Sequence, residues 1–123
     1  MSVETTLSHR LLSAGCPWLA GISCVDPDTG VRWRKLAIGW ACEGGAGAGI
    51  GNSLERARAC GPDIYEGATW GALLEAMPTH ELCYYAEIEG WLCTPGGNGV
   101  GLARQGCTRG EAVTEAWLAL HGG

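Results

Sequence analysis

A chain of 123 residues, 46% hydrophobic and 17% charged, has enough apolar content for one modest core that buries about two-thirds of the unfolded surface, which argues against a disordered polymer. A net charge of −5 with a single lysine, Lys35, argues against nucleic-acid binding that ignores sequence, because such binding rests on many cationic contacts to phosphates. No run approaches the ~20 apolar residues of a membrane span and no basic-then-apolar leader opens the chain, so a soluble, cytoplasmic protein with no membrane partner is expected.

The aromatic content is unusual. Phe is absent, and six tryptophans carry most of the bulk; each indole N–H needs a partner or water, so several should sit half-exposed. The seven cysteines are odd in number and follow no secretion signal, so most are expected to be reduced and buried as small apolar residues. No C-x-x-C pair occurs and the three histidines are far apart, so neither a metal nor another cofactor is expected.

The segment T-T-L-S-H-R-L-L-S-A-G-C-P reads as a short helix capped by Thr5 or Thr6, burying Leu7, Leu11 and Leu12, turning His9 outward and stopping at Gly15 before Pro17. The pattern then changes to strands. L-A-G-I-S-C-V and V-R-W-R-K-L-A-I flank the turn D-P-D-T-G and predict a hairpin. A period of two places Arg32 and Arg34 on one face with Leu36, and Val31 and Trp33 on the other. Arg32, Arg34 and Lys35 form the densest basic cluster, either a solvated face or a patch for an anionic partner.

A glycine-rich loop is expected at about residues 43–52. Gly47, Gly49 and Gly51 alternate; no Lys-Ser/Thr follows to make a phosphate-binding loop, so a flexible segment or a close backbone approach fits better. Ser53 is then expected to cap L-E-R-A-R-A-C, which Gly61-Pro62 ends. Thr69 is expected to cap the next helix, whose Trp70, Leu73, Leu74 and Met77 form one apolar stripe up to Pro78.

Leu82, Tyr84, Ala86 and Ile88 alternate with Cys83, Tyr85, Glu87 and Glu89, predicting a strand with one apolar and one mixed face. A two-residue turn at Glu89-Gly90 would return W-L-C-T with Ile88 opposite Trp91 and Ala86 opposite Cys93, which implies no Cys83–Cys93 bridge. After the loose link P-G-G-N-G, V-G-L-A-R-Q reads as one more short strand. Thr108 and Glu111 make a capping box for a last helix that buries Val113, Ala116, Trp117 and Leu120, carries an acidic ridge at Glu111 and Glu115, and closes at Gly122.

Together these elements predict one α+β domain over residues 1–123: an antiparallel sheet of about four to five strands packed by two main helices, plus a short N-terminal helix. Catalysis has little support. A Cys or Ser beside His80 and Glu81 exists only on paper, and Glu87 with Glu89 reads as a solvated edge. A binding role fits better: Arg32, Arg34 and Arg104 can hold an anion, while Trp40, Tyr84, Tyr85 and Trp91 offer flat surfaces.

A-T-W-G-A-L-L-E-A-M-P, a strand pair containing E-G-W, and C-T-R-G-E-A-V-T-E-A-W-L-A-L-H resemble a diffuse group of small accessory proteins of tailed phages and prophages, some described as a phage sandwich domain. The likeness covers residues 69–120 and, loosely, 6–17. It implies the fold and a phage setting and transfers no catalytic residue. In that setting the chain is expected to be a non-enzymatic anti-defence protein, binding either a small nucleotide messenger, as a homo-oligomer, or a host defence protein. A small nucleotide-acting enzyme and a minor virion component are the alternatives.

Overall fold

The computed structural model describes residues 3–43, 51–77, 80–95 and 103–121, with the side chains of residues 3–6 and His80 outside that description. Its element order is helix α1 (Val3–Ser13), strands β1 (Ser23–Val25), β2 (Arg32–Lys35) and β3 (Trp40–Glu43), helices α2 (Ser53–Cys60) and α3 (Gly67–Glu75), strand β4 (His80–Tyr85), a 3-10 turn (Ala86–Ile88), strands β5 (Gly90–Pro95) and β6 (Arg104–Gly106), and helix α4 (Arg109–Leu120). This is an α+β fold. Among the described residues six strands form two separate antiparallel sheets of three, ordered β1-β2-β3 and β4-β5-β6, where one sheet of four to five was expected.

Helix α1 begins before Thr5 and buries Leu7 and Leu11, one turn apart, with Leu12 half-buried and His9 exposed. Its end is a paired-carbonyl stop: Cys16 N–H donates to Leu11 O and Gly15 N–H to Leu12 O, with Gly15 at φ +76, a conformation that favours glycine. The hairpin follows D-P-D-T-G as read, with Val25 opposite Arg32 and Cys24 opposite Trp33. W-A-C-E, just before the expected glycine-rich loop, continues the sheet as β3, pairing Trp40 with Lys35 and Glu43 with Arg32. The loop's own residues 44–50 lie outside the described residues.

The two faces of this first sheet are covered differently. Trp33, Lys35 and Trp40 face α2, where Trp33 Nε1–H donates to Ser53 Oγ at 3.1 Å. Ser53 is therefore a buried acceptor inside α2 rather than its cap, and Asn52 holds the cap position. On the opposite face Ser23 N–H donates to Thr69 Oγ1 at 2.9 Å. That contact also explains why Thr69 does not cap α3: its hydroxyl ties the helix to β1, and Glu66 stands at the N-cap.

The second sheet lies against α4, with α1 and α3 beside that helix. Leu7, Leu11, Ile64, Leu73, Cys93 and Trp117 meet in the core, where each fully buried Leu or Ile contributes about 1.5–3 kcal/mol. Of the α3 stripe, Leu73 and Met77 are buried while Trp70 and Leu74 are partly so; Pro78 lies outside the described residues. Strand β4 ends at Tyr85, earlier than the alternation predicts, because Ala86–Ile88 winds into a 3-10 turn and Glu89 takes φ +50. The register consequently sets Tyr84 opposite Trp91 and Leu82 opposite Cys93 instead of pairing Ile88 and Ala86 with them. Glu87 and Glu89 therefore belong to the turn. The link after Pro95 and the start of the expected last strand lie outside the described residues; β6 holds Arg104–Gly106.

Helix α4 carries the expected cap. Glu111 N–H donates to Thr108 Oγ1 at 3.2 Å, and Thr108 Oγ1–H to Glu111 Oε2 at 3.2 Å. Val113, Ala116 and Trp117 are buried as the spacing predicts, but Leu120 is 37% exposed, since the helix end runs past the core; Gly122 lies outside the described residues. Thr108→Ala is expected to lower stability by about 1 kcal/mol in urea unfolding, with Thr108→Ser close to wild type. Equal stability of the alanine variant would remove the cap from the account.

All seven cysteines are free thiols, and three of them are buried, Cys16, Cys24 and Cys93, where most were expected to be. Burial pushes each of these three thiols up to about 11, which keeps them protonated and unreactive near neutrality.

Candidate binding surface

The six residues singled out from the sequence do not converge. Arg32 and Arg34 share one face of the first sheet, as the period of two predicts, and both are engaged by carboxylates of the chain. Arg32 Nη1 donates to Asp63 Oδ2 at 2.8 Å and to Ser23 Oγ at 3.0 Å. Arg34 Nε and Nη2 donate to Glu43 at 2.9 and 3.3 Å, and Glu66 lies 3.5 Å from both arginines. The Arg34 guanidinium holds the Glu43 carboxyl below the usual carboxylate range. Trp40 projects from the other face of the same sheet. Tyr85 and Trp91 fall on opposite faces of the second sheet, and Arg104 lies across from Cys93 with Nη1 donating to Ala103 O at 2.8 Å.

What the fold does assemble is a row of rings around Arg109. Because Tyr84 and Trp91 are register partners, their rings meet edge-on with centroids 5.5 Å apart. The Arg109 guanidinium stands 4.4 Å from the Trp91 ring and 5.8 Å from the Trp70 ring, so two indoles from different elements fix one cation. Such a contact contributes about 0.5–2 kcal/mol and limits the rotamers of the arginine. Arg109 forms no ion pair among the described residues. Trp70, Trp91 and Arg109 line a shallow hollow of about 360 Å³ together with Tyr65, and Tyr84 stands beside it against Trp91.

The hollow exists because α4 starts hard against the segment before α3. A Cβ on Gly110 would fall on the Ile64 carbonyl oxygen, well inside van der Waals contact, so only glycine lets the first turn of α4 lie where it does and brings Arg109 beside Tyr65 and Trp70. Arg109 follows the cap directly. It is placed by Thr108 on one side and by Gly110 on the other.

On the far side of the same helix start lies a second cleft, of about 330 Å³, with Leu7 and Ile88 as apolar wall and Glu89, Glu111 and Glu115 as acidic rim. Arg10 Nη1 donates to Glu115 Oε1 at 2.7 Å and partly neutralises that rim. Cys107, an exposed thiol, borders both cavities. The expected acidic ridge is thus one wall of a cleft. Among the described residues no cluster of three or more His, Cys, Asp or Glu side chains has metal-holding geometry.

Of the row, Tyr84 and Trp91 were named from the sequence as flat aromatic surfaces, although the alternation set Tyr84 on the apolar face of its strand, where the structure leaves it 56% exposed. Arg109, Trp70 and Tyr65 were missed. The available signal was the position of Arg109, immediately after a capping threonine and therefore held at a helix start, but its ring partners arrive from β5 and α3 and no local pattern names them.

The fold and this surface define a small α+β protein that presents an aromatic-arginine face beside an acidic cleft. No known protein family, curated protein or solved structure matches the chain.

Proposed function

We propose that this chain is a non-enzymatic binding protein, an anti-defence accessory protein of the phage type, that blocks a host defence protein by docking on the Tyr84–Trp91–Arg109–Trp70–Tyr65 row. The single observation that carries the reading is Arg109, fixed 4.4 Å over Trp91 and free of any ion pair among the described residues. Trp, Tyr and Arg are the side chains that dominate protein–protein hot spots: Trp and Tyr bury much area at little entropic cost, and Arg adds charge-assisted hydrogen bonds, here from a guanidinium whose rotamers the two indoles already limit. The phage setting and the anti-defence role come from the resemblance of residues 69–120. The expected partner segment is mixed in charge, with a carboxylate or carbonyl for Arg109 and a basic group for the rim of Glu89 and Glu111.

Sequestration of a nucleotide messenger is the weaker reading. To hold phosphate, Arg32 and Arg34 would first have to leave Asp63, Glu66 and Glu43, whereas docking on Arg109 breaks no ion pair. Capture from host lysate followed by binding of the purified partner tests the choice. Trp91→Ala and Arg109→Glu are each expected to weaken that binding by about thirtyfold, the effect of removing a hot-spot residue, while Tyr85→Ala leaves it unchanged. Binding indifferent to both substitutions would sink the proposed face. A rise in Tm with a cyclic nucleotide, lost on Arg34→Ala, would move the function to the messenger.

A further inference from the structure

The turn that joins β2 to β3 consists of Leu36, Ala37, Ile38 and Gly39, all exposed. Leu36 N–H donates to Gly39 O at 3.0 Å and closes the turn, with Gly39 at φ +79. Hairpin turns usually draw on Gly, Asn, Asp and Ser, which water accepts at no cost. Here Ile38 is 92% and Leu36 42% exposed, so the tip of the hairpin is apolar and faces solvent. Nothing in the packing of the sheet requires an isoleucine at that place.

The base of the turn has the opposite chemistry. Lys35 and Trp40 are paired in register just behind it. The Trp40 ring meets Trp18 edge-on at 5.3 Å, and Lys35 Nζ and the Arg58 guanidinium stand 5.9 and 5.8 Å from its centroid. Neither cation forms an ion pair among the described residues, in contrast to Arg32 and Arg34 on the sheet's other face. Passing outward along the hairpin, two indoles flanked by two cations give way to two exposed aliphatic side chains.

That order matches the change from headgroup to acyl chain across a lipid surface: cations meet anionic headgroups, indoles occupy the boundary, and aliphatic side chains leave water altogether. We propose that the turn at residues 36–39 attaches the protein to an anionic lipid surface, with Ile38 and Leu36 entering the acyl boundary, Trp18 and Trp40 at headgroup level, and Lys35 and Arg58 against lipid phosphate or carboxylate. Lys35 Nζ donates to Leu36 O at 2.6 Å, and an exposed tip backed by cations with no carboxylate partner among the described residues suits an anionic interface better than a pocket on a protein, which would receive Ile38 without needing either charge. The attachment is peripheral. It needs no spanning segment, and no described helix is long and apolar enough to cross a membrane. Around this sheet the carboxylates of Asp26, Glu43, Asp63 and Glu66 are paired with Arg56, Arg34 and Arg32, which leaves Lys35 and Arg58 to face the lipid. The surface is separate from the Arg109 row, so the two inferences stand or fall independently.

Co-sedimentation of the full chain with vesicles of phosphatidylcholine, alone or mixed with phosphatidylserine, tests the proposal. Binding is expected to rise with the phosphatidylserine fraction, to fall with salt, and to shift tryptophan emission to the blue. Ile38→Asp should weaken the partition at least about tenfold with Tm unchanged, because the side chain it replaces touches so little of the protein. Lys35→Glu combined with Arg58→Glu should abolish the phosphatidylserine dependence. No binding of the wild type at low salt, equal binding to both vesicle types, or full retention by Ile38→Asp would each overturn the proposal. So would lipid-independent self-association that Ile38→Asp removes, which would assign the turn to a second copy of the chain.

Discussion

Gly110→Ala is expected to destabilise the protein by about 3 kcal/mol, enough to threaten folding of a small domain. Two effects oppose each other at this position. Alanine is the better helix former by about 1 kcal/mol, which favours the variant. Against that, the new methyl would overlap the Ile64 carbonyl oxygen, and the contact is with backbone on both sides, so no rotamer change relieves it. The first turn of α4 must then back away from the segment before α3, pulling on Val113 and Trp117, which are buried further along the helix. Gly71 supplies the control. It lies within α3 with nothing near its would-be Cβ, so Gly71→Ala carries the propensity gain alone and should be neutral or stabilising by up to about 1 kcal/mol. Urea unfolding followed by tryptophan fluorescence separates the two, and equal stability of both variants would refute the close approach. The displaced helix start also moves Arg109 off Trp91, so loss of partner binding should accompany the loss of stability.

Elements whose signal is local were legible in the sequence. The capping box of Thr108 and Glu111, the D-P-D-T-G turn, the Gly15 stop and the stripe from Trp70 to Met77 each depend on residues within a few positions of one another, and each occurs in the structure as read. Errors appear where a tertiary contact claims a residue that a local rule also claims. Ser53 and Thr69 are good capping residues by type, yet their hydroxyls serve Trp33 and Ser23 from other elements, and the helices start elsewhere. The division into two sheets was hidden for a similar reason. Alternation reports that a segment is extended and which side is apolar, but it does not name the neighbour, and β3 was further masked by the glycines that follow it. Strand β4 was read too long because the 3-10 turn at Ala86–Ile88 keeps the apolar-acidic alternation of a strand while changing its backbone.

The candidate site was less legible than the fold. Its composition could be anticipated, since exposed Tyr and Trp are visible as types, but the grouping could not: Arg32 and Arg34 looked available until Asp63, Glu66 and Glu43 came against them from other elements. The charges left over by that pairing, Arg109 at one end and Lys35 with Arg58 at the other, mark the two surfaces proposed for binding. An arginine's availability is a property of the folded neighbourhood rather than of its spacing in the chain.

The acid behaviour of the protein should be governed by Asp26. Its carboxylate is fully buried at the end of β1, where Arg56 Nε and Nη2 donate to it from α2 at 3.1 and 2.7 Å, and Asp28 N–H and Thr29 Oγ1–H add further bonds at 3.0 and 2.8 Å. Chiefly because of Arg56, its carboxyl titrates far below the usual carboxylate range. For a carboxyl whose value is lowered by folding, the stabilisation is complete above its unfolded value of about 3.9 and is lost as pH falls toward the folded value. The wild type should therefore keep this contribution from neutrality down to about pH 4 and surrender it only in stronger acid. Asp26→Asn removes the charge, leaves Arg56 with Asp28 alone, and loosens α2 from the first sheet. Its deficit should exceed that of truncating Arg10, whose half-exposed pair with Glu115 contributes about 0–1 kcal/mol. Measured by urea unfolding across the acid range, the gap between wild type and Asp26→Asn should be constant above about pH 4 and narrow below it. A gap that widens in acid, or none at neutral pH, would mean that the Asp26–Arg56 pair does not hold α2 to the sheet.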